Sequence, residues 1–174
     1  MKPTEMKTSK KVALCGVFAA LCVTMLYLGG LTLLDLTVVA VCALMTMIIV
    51  AETGVRSAWI YTAATGALAL ILLPNKIYAV EYICFGALYP VAKMYFERMR
   101  PLFAWPVKIS FLDILLMGCV LLAQKVFLLG DEYFAFNAVT LLVGTAFFVL
   151  YDLALTVCIT FYIVKLRKRL GLGK

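Results

Sequence analysis

The chain has no histidine and little charge: only 14% of its 174 residues are Asp, Glu, Lys or Arg. The usual general base and proton relay near neutral pH is therefore missing, which disfavours an intramembrane hydrolase. No Walker motif, glycine-rich phosphate loop or nucleophile elbow occurs either. We expect the chain to have no ATPase or other enzyme activity of its own, and carboxylates and lysines must carry any chemistry.

The six cysteines contain no Cys-x-x-Cys pair, and without histidine they cannot complete a typical metal site. All six fall within apolar runs, where a free cysteine behaves as a small hydrophobic residue. We interpret them as packing residues and expect no metal site and no cofactor.

What the chain has in excess is apolar surface: 66% of its residues are hydrophobic, and its mean hydropathy is +1.07. A soluble domain carries about 45–50% apolar and about 25% charged residues, and a disordered chain has far less apolar surface. Both classes are excluded, and the chain belongs in a lipid bilayer. Six helices of about 20 residues each would use about 120 residues and leave only short loops. We therefore expect one transmembrane domain over residues 1–174.

Long apolar runs, separated by glycine, proline and charged residues, predict an all-α integral membrane protein with six transmembrane helices. A helix needs about 17–25 residues to cross a bilayer, and five of the six runs reach that length, while the fourth, with 16 residues, is close to it. The predicted spans are Val12–Gly29, Leu31–Ala51, Ser57–Leu73, Ile77–Ala92, Ile109–Leu129 and Asn137–Val164.

The distribution of basic residues predicts that both ends of this six-helix chain face the cytoplasm. That arrangement places 14 of the 16 lysines and arginines on the inner side and leaves only Lys76 and Lys125 outside. The net charge of +7 then follows from topology and requires no nucleic-acid partner.

Polar residues gather near the predicted outer face, together with tyrosines 27, 78, 82 and 133. Charges that pair with the ends of a small polar or zwitterionic solute, and rings that stack on its body, would form a binding pocket there. The alternative is an interfacial belt, because Tyr and Lys favour that depth in many membrane proteins. The set comprises Asp35, Asn75, Lys76, Glu81, Gln124, Lys125, Asp131 and Glu132.

A second polar group lies toward the predicted inner face and includes Glu52, Arg56, Lys93, Glu97, Lys108 and Asp113. Lys93 and Glu97 are spaced i, i+4, so they can pair on one helix face as neutral scaffolding. Asp152 differs, because it falls near the middle of the last span. We expect it to be protonated or buried against Asn, Gln, Tyr or a lysine of another helix. Both a structural bond and a role in transport stay open.

The first span carries a stripe of small residues, namely Ala13, Gly16, Ala20 and Thr24. Small residues at steps of three and four let two helices approach closely in lipid, where packing drives association. The stripe therefore predicts a helix-docking surface. Its partner is either another helix of this chain or a separate subunit.

The opening helix KKVALCGVFAALCV, residues 10–23, resembles the Ala-rich first helix of the substrate-binding S components of energy-coupling-factor (ECF) vitamin transporters. The chain length and the six predicted helices with both ends inside are similar to the same family. The segments LLDLT at 33–37, LLPNK at 72–76 and YPVAKMYFER at 89–98 resemble S-component-like membrane proteins of Gram-positive bacteria.

This resemblance implies a solute-binding subunit of a bacterial plasma-membrane importer. A vitamin-like solute would bind at the outer face, and the first helix would dock on a transmembrane coupling subunit driven by two ATPases. The implied docking residues are Ala13, Gly16, Ala20 and Thr24. The implied pocket residues, which overlap the outer polar set, are Asn75, Lys76, Glu81, Tyr82, Gln124, Lys125 and Asn137.

Two other classes of function stay open. A structural protein similar to the rod-shape family MreD would have comparable length and six spans, and would serve a cell-wall assembly complex without carrying a solute. An ion-coupled carrier would use Asp152 as its proton or cation site, but the chain has no inverted internal repeat of the kind such carriers often show. The outer polar set favours solute binding, because a scaffold has no need to bury charges there.

Overall fold

The computed structural model describes residues 7–32, 35–97, 105–111, 113–118 and 138–166. Helices account for 93% of these residues, and none of them lies in a β-strand. The predicted all-α class is confirmed for this part of the chain.

Three helices open the chain: α1 covers Thr8–Gly29, α2 covers Asp35–Thr53 and α3 covers Val55–Leu72. The next helical run consists of α4, a π-helical segment and α5, which follow each other without a break. Its parts are Lys76–Glu81, Tyr82–Leu88 and Tyr89–Phe96. Helix α6 is described over 105–111 and 113–118. Helix α7 covers Ala138–Phe161 and continues as a π-helical turn, Tyr162–Leu166.

Four helical stretches are long and apolar enough to cross a membrane: Thr8–Gly29, Asp35–Thr53, Val55–Leu72 and Val143–Lys165. They agree with the first, second, third and sixth predicted spans. The predicted fourth span is a helical run from Lys76 to Phe96, which the π-helical segment divides. The predicted fifth span extends beyond the described part of α6. The full set of six spans and the cytoplasmic placement of both ends stay predictions.

The connection between α3 and α4 is held by two polar side chains that cap opposite helix ends. Asn75 Oδ1 accepts hydrogen bonds from the backbone N–H groups of Ile77 and Tyr78, at 3.0 and 3.3 Å, and so caps the start of α4. Lys76 Nζ donates to the carbonyls of Leu70 and Leu73, at 2.7 and 2.8 Å, and so caps the end of α3. Both side chains satisfy backbone groups that a helix end leaves unpaired.

The π-helical segment has a clear cause in Pro90. In an α-helix the N–H of residue 90 would donate to the carbonyl of Gly86, but proline has no N–H and its ring clashes with that carbonyl. The helix widens over Tyr82–Leu88, where a backbone bond spans five residues instead of four. Thr46 Oγ1, on α2, lies 3.0 Å from the Gly86 carbonyl and 3.1 Å from the Cys42 carbonyl, so its one O–H is shared between the two and partly replaces the missing donor.

The described residues fall into two compact units, one made of those within 1–91 and 155–174 and the other of those within 92–154. We call them the larger and the smaller unit. One cluster of buried residues in the larger unit combines aliphatic residues with cysteines, alanines and two tyrosines. Its members are Cys22, Leu26, Val39, Cys42, Ala69, Leu73, Tyr78, Ala79, Tyr82 and Ala87.

A chain of neutral hydrogen bonds crosses this core through the hydroxyl of Tyr82. The thiol of Cys22 donates to Tyr82 Oη at 3.3 Å, and that hydroxyl donates to Thr65 Oγ1 at 2.9 Å. Thr65 donates in turn to the carbonyl of Tyr61 at 2.9 Å. The ring of Tyr82 lies against Gly86, where an added Cβ would come within 2.5 Å of it. Glycine at 86 is therefore required for this ring position.

Candidate functional site

The smaller unit contains a buried cluster of charged side chains contributed by three helices. Lys93 comes from α5, Lys108 from α6 and Asp152 from α7, with exposed fractions of 0%, 7% and 2%. Glu97, one turn after Lys93 on α5, lies at the rim, where its side chain is 38% exposed. We call these four residues the charged cluster. It is the strongest concentration of charge inside the described part of the chain.

Asp152 is the shared acceptor of the charged cluster. Lys93 Nζ bonds to Asp152 Oδ1 and also donates to the Asp152 backbone carbonyl at 3.0 Å. Lys108 Nζ donates to the other carboxylate oxygen, Oδ2, at 2.9 Å. Glu97 Oε1 lies 3.4 Å from Lys93 Nζ. Each oxygen of one buried carboxylate therefore binds an ammonium group from a different helix.

Aromatic contacts hold the two lysine-bearing helices in this arrangement. The rings of Phe96 on α5 and Phe111 on α6 meet edge to face, with centroids 5.3 Å apart. Lys108 Nζ lies 5.6 Å from the centre of the Trp105 ring, within the range of a cation–π interaction. The positions of the ammonium groups are thus fixed by packing as well as by charge.

The structure resolves two predictions for the inner polar group. The i, i+4 pairing of Lys93 with Glu97 is confirmed, and Asp152 is buried against lysines, one of the alternatives expected for it. Two lysines bind it where one was expected. In the larger unit, Glu52 is buried and accepts a hydrogen bond from Tyr162 Oη at 3.4 Å.

Two further members of the predicted inner group form no ion pair with another described residue at salt-bridge distance. Arg56 is exposed at the start of α3, and Asp113 is half-buried on α6.

Two carboxylates of the predicted outer set lie in the larger unit, Asp35 at the start of α2 and Glu81 at the end of α4. Oδ1 of Asp35 is buried and accepts no hydrogen bond from any described residue. The backbone carbonyl of Asp35 accepts a bond from Tyr78 Oη at 3.4 Å. Asp35 and Glu81 are close enough for their charges to interact. This end of the larger unit therefore holds two neighbouring carboxyl groups and an unsatisfied buried acceptor.

Three other predicted pocket residues are occupied by contacts within the chain. Asn75 and Lys76 cap helices α4 and α3, as described above. Tyr82 is fully buried, and its hydroxyl bonds to Cys22 and Thr65. The structure thus gives these three side chains structural contacts, and their contact with a solute stays a prediction. Gln124, Lys125 and Asn137 lie outside the described residues.

The small-residue stripe of α1 is uncovered by the described helices. Ala13, Gly16, Ala20 and Thr24 are all exposed, and a Cβ added at Gly16 would meet no described atom within 4 Å. The opposite face of α1 packs into the core of the larger unit through Cys22 and Leu26. The stripe was expected to pack against another helix of this chain or against a separate subunit. No described helix of this chain packs against it.

Sequence reasoning missed the residues around Tyr82. Tyr61 is only 2% exposed, yet its hydroxyl has no hydrogen-bond partner among the described residues. Thr65 and Cys22 complete the polar chain beside it. The one local signal was Pro90, which predicts a disturbed helix over the preceding turn. Nothing in the sequence indicates which side chains from α1 and α3 meet that turn.

Comparison with known proteins adds no relative: no family, no curated protein and no solved structure matches this chain.

Proposed function

We propose that the chain is a solute-binding membrane subunit of an ECF-type importer in a bacterial plasma membrane, and that it captures a small polar solute at its outer end. The observation that carries this proposal is the buried, unpartnered Oδ1 of Asp35, with Glu81 nearby. A buried polar atom without a partner costs free energy, and a donor on a bound solute would recover it.

The chemistry of this end favours a solute with a positively charged group. Asp35 and Glu81 are neighbouring carboxyl groups, and a bound ammonium group would favour the ionised form of both and be attracted to them. Lys76 is nearby in sequence, but its ammonium bonds to the carbonyls that end α3. A zwitterionic solute would also need a partner for its negative end. In this proposal that partner is Lys125 of the predicted outer set.

The exposed stripe of α1 supports a membrane partner. Small side chains without a covering helix allow another helix to approach closely in lipid. In the proposal this surface docks on a transmembrane coupling subunit with two ATPases, which would supply the energy that this chain has no motif to obtain. A scaffold of the MreD class would also use such a surface, but would have no need of an unsatisfied carboxylate at the outer end.

Ligand binding tests the solute-binding role. The purified full chain would be screened by thermal shift against amines, amino acids and zwitterionic vitamin-like solutes. A ligand that stabilises the parent chain should bind at least about 10-fold more weakly to Asp35→Asn and Glu81→Gln, the loss expected when one charged hydrogen bond is removed. Asp113→Asn, which changes a half-buried carboxylate on α6, is the matched control and should keep the parent affinity. Equal affinity in all four proteins would refute the assignment.

Association tests the partner. A tagged chain extracted in mild detergent should co-purify with a transmembrane subunit and two ATPases, and Gly16→Leu with Ala20→Leu should abolish that complex without weakening ligand binding. Co-purification with cell-wall assembly proteins would instead favour the scaffold class.

A further inference from the structure

Lys108 differs from Lys93 in how completely its ammonium group is satisfied. An ammonium group has three N–H donors. Lys93 Nζ bonds to both the side chain and the backbone carbonyl of Asp152 and lies 3.4 Å from Glu97. Lys108 Nζ, although only 7% exposed, donates to Asp152 Oδ2 alone among the described residues. Its other close contact is the face of Trp105, which accepts no conventional hydrogen bond.

The carboxylates of the charged cluster are also unevenly shared between the two lysines. Lys93 contacts both Asp152 and Glu97, and Glu97 lies at the exposed rim. Lys108 contacts Asp152 and forms no second ion pair with a described residue. Asp113, on the same helix as Lys108, does not pair with it at salt-bridge distance. Of the two lysines, Lys108 therefore has fewer carboxylate contacts among the described residues.

Lys108 lies beside a residue that reaches the surface. Trp105 is 42% exposed and lies one turn before Lys108 on α6, and Lys108 Nζ is 5.6 Å from the centre of its ring. Exposed tryptophans favour the depth of lipid headgroups, where phosphate groups are abundant. An oxyanion bound at that depth, beside Trp105, would therefore be close to the free donors of Lys108.

We propose that Lys108 is an anion-binding residue that takes a phosphate group, supplied by an anionic lipid headgroup or by a free phosphate, while Asp152 holds its ammonium group in place. Lys93 contributes positive charge from the far side of Asp152 and no direct contact. This proposal uses none of the residues on which the proposed function rests, and neither proposal depends on the other.

The test measures stabilisation of the full chain in a neutral detergent. Phosphatidylglycerol, phosphatidylcholine and inorganic phosphate would be added in turn, and the unfolding temperature followed. Phosphatidylglycerol should raise that temperature by about 5 °C at saturation, and phosphatidylcholine should not. Lys108→Gln should lose most of the shift. Lys165→Gln, which removes an exposed lysine that also lies over an aromatic ring, should keep it.

The arms of the experiment identify the source of the phosphate. A Lys108-dependent shift with lipid alone indicates a headgroup, and a shift with inorganic phosphate as well indicates a free anion. If Lys108→Gln does not fold, the double variant Lys108→Gln with Asp152→Asn keeps the remaining Lys93–Glu97 pair balanced and serves instead. The proposal is overturned if no phosphate compound shifts the parent chain, or if the shift survives in the Lys108 variants.

Discussion

The larger and the smaller unit both bury polar side chains, but with different chemistry. The larger unit joins α1, α3 and the π-helical segment through a thiol and hydroxyls, in the chain Cys22, Tyr82 and Thr65. The smaller unit joins α5, α6 and α7 through full charges, with Asp152 between two lysines. Neutral groups cost little to bury once they are bonded, whereas each charge must be offset by another.

This difference predicts where the chain tolerates change. Losing a neutral donor costs about 1 kcal/mol when its acceptor finds another partner. Losing one member of a buried ion pair leaves an uncompensated charge and costs about 3–5 kcal/mol. We therefore expect substitutions in the charged cluster to lower stability more than substitutions of the hydrogen-bonding side chains around Tyr82. A glycine that allows close packing is an exception, because any added side chain there causes overpacking.

The largest effect is expected for Asp152→Ala. The substitution leaves the ammonium groups of Lys93 and Lys108 facing each other without their shared acceptor, and we expect a loss of about 3–5 kcal/mol of stability. Thermal unfolding in detergent measures it, and Asp113→Ala, on α6, should change stability by less than about 0.5 kcal/mol. A loss at Asp152 no larger than at Asp113 would show that the charged cluster contributes nothing to folding.

The second prediction concerns close packing in the larger unit. In Gly86→Ala the new Cβ would lie 2.5 Å from the Tyr82 ring, so the ring must move and its bonds to Cys22 and Thr65 are strained. Overpacking of this kind costs about 1–3 kcal/mol. Gly16→Ala is the control, since its Cβ meets open space. Equal unfolding temperatures for the two variants would mean that the ring position is not fixed by glycine.

Much of the fold could be predicted from the sequence, because a long apolar run in a chain with few charges has few alternatives to a membrane helix. The i, i+4 spacing also predicted the contact of Lys93 with Glu97, since both residues belong to one helix. The partners of Asp152 were predicted only by type. Three different helices meet at that carboxylate, and no local pattern specifies which lysines they bring.

The site around Tyr82 shows a second limit. The position of Tyr82 near the start of the predicted fourth span placed it near the outer face. Position along a span does not indicate which side of the helix a residue occupies. Pro90 widens the helix over Tyr82–Leu88 and so changes the face that each residue presents. The structure accordingly places Tyr82 in the core, with its hydroxyl bonded to Thr65.

The smallest effect, and the most specific, comes from the bond that compensates for Pro90. Thr46→Val removes the hydroxyl that donates to the Gly86 carbonyl, and because residue 90 has no N–H, that carbonyl loses its replacement donor. We expect a loss of about 1–2 kcal/mol in thermal or chemical unfolding, the cost of an unsatisfied buried acceptor. Combining it with Pro90→Ala restores a backbone N–H at position 90, so the Thr46 substitution should cost measurably less in that background. The double-mutant cycle therefore isolates the compensation itself, and a coupling energy near zero would mean that Thr46 and Pro90 act independently.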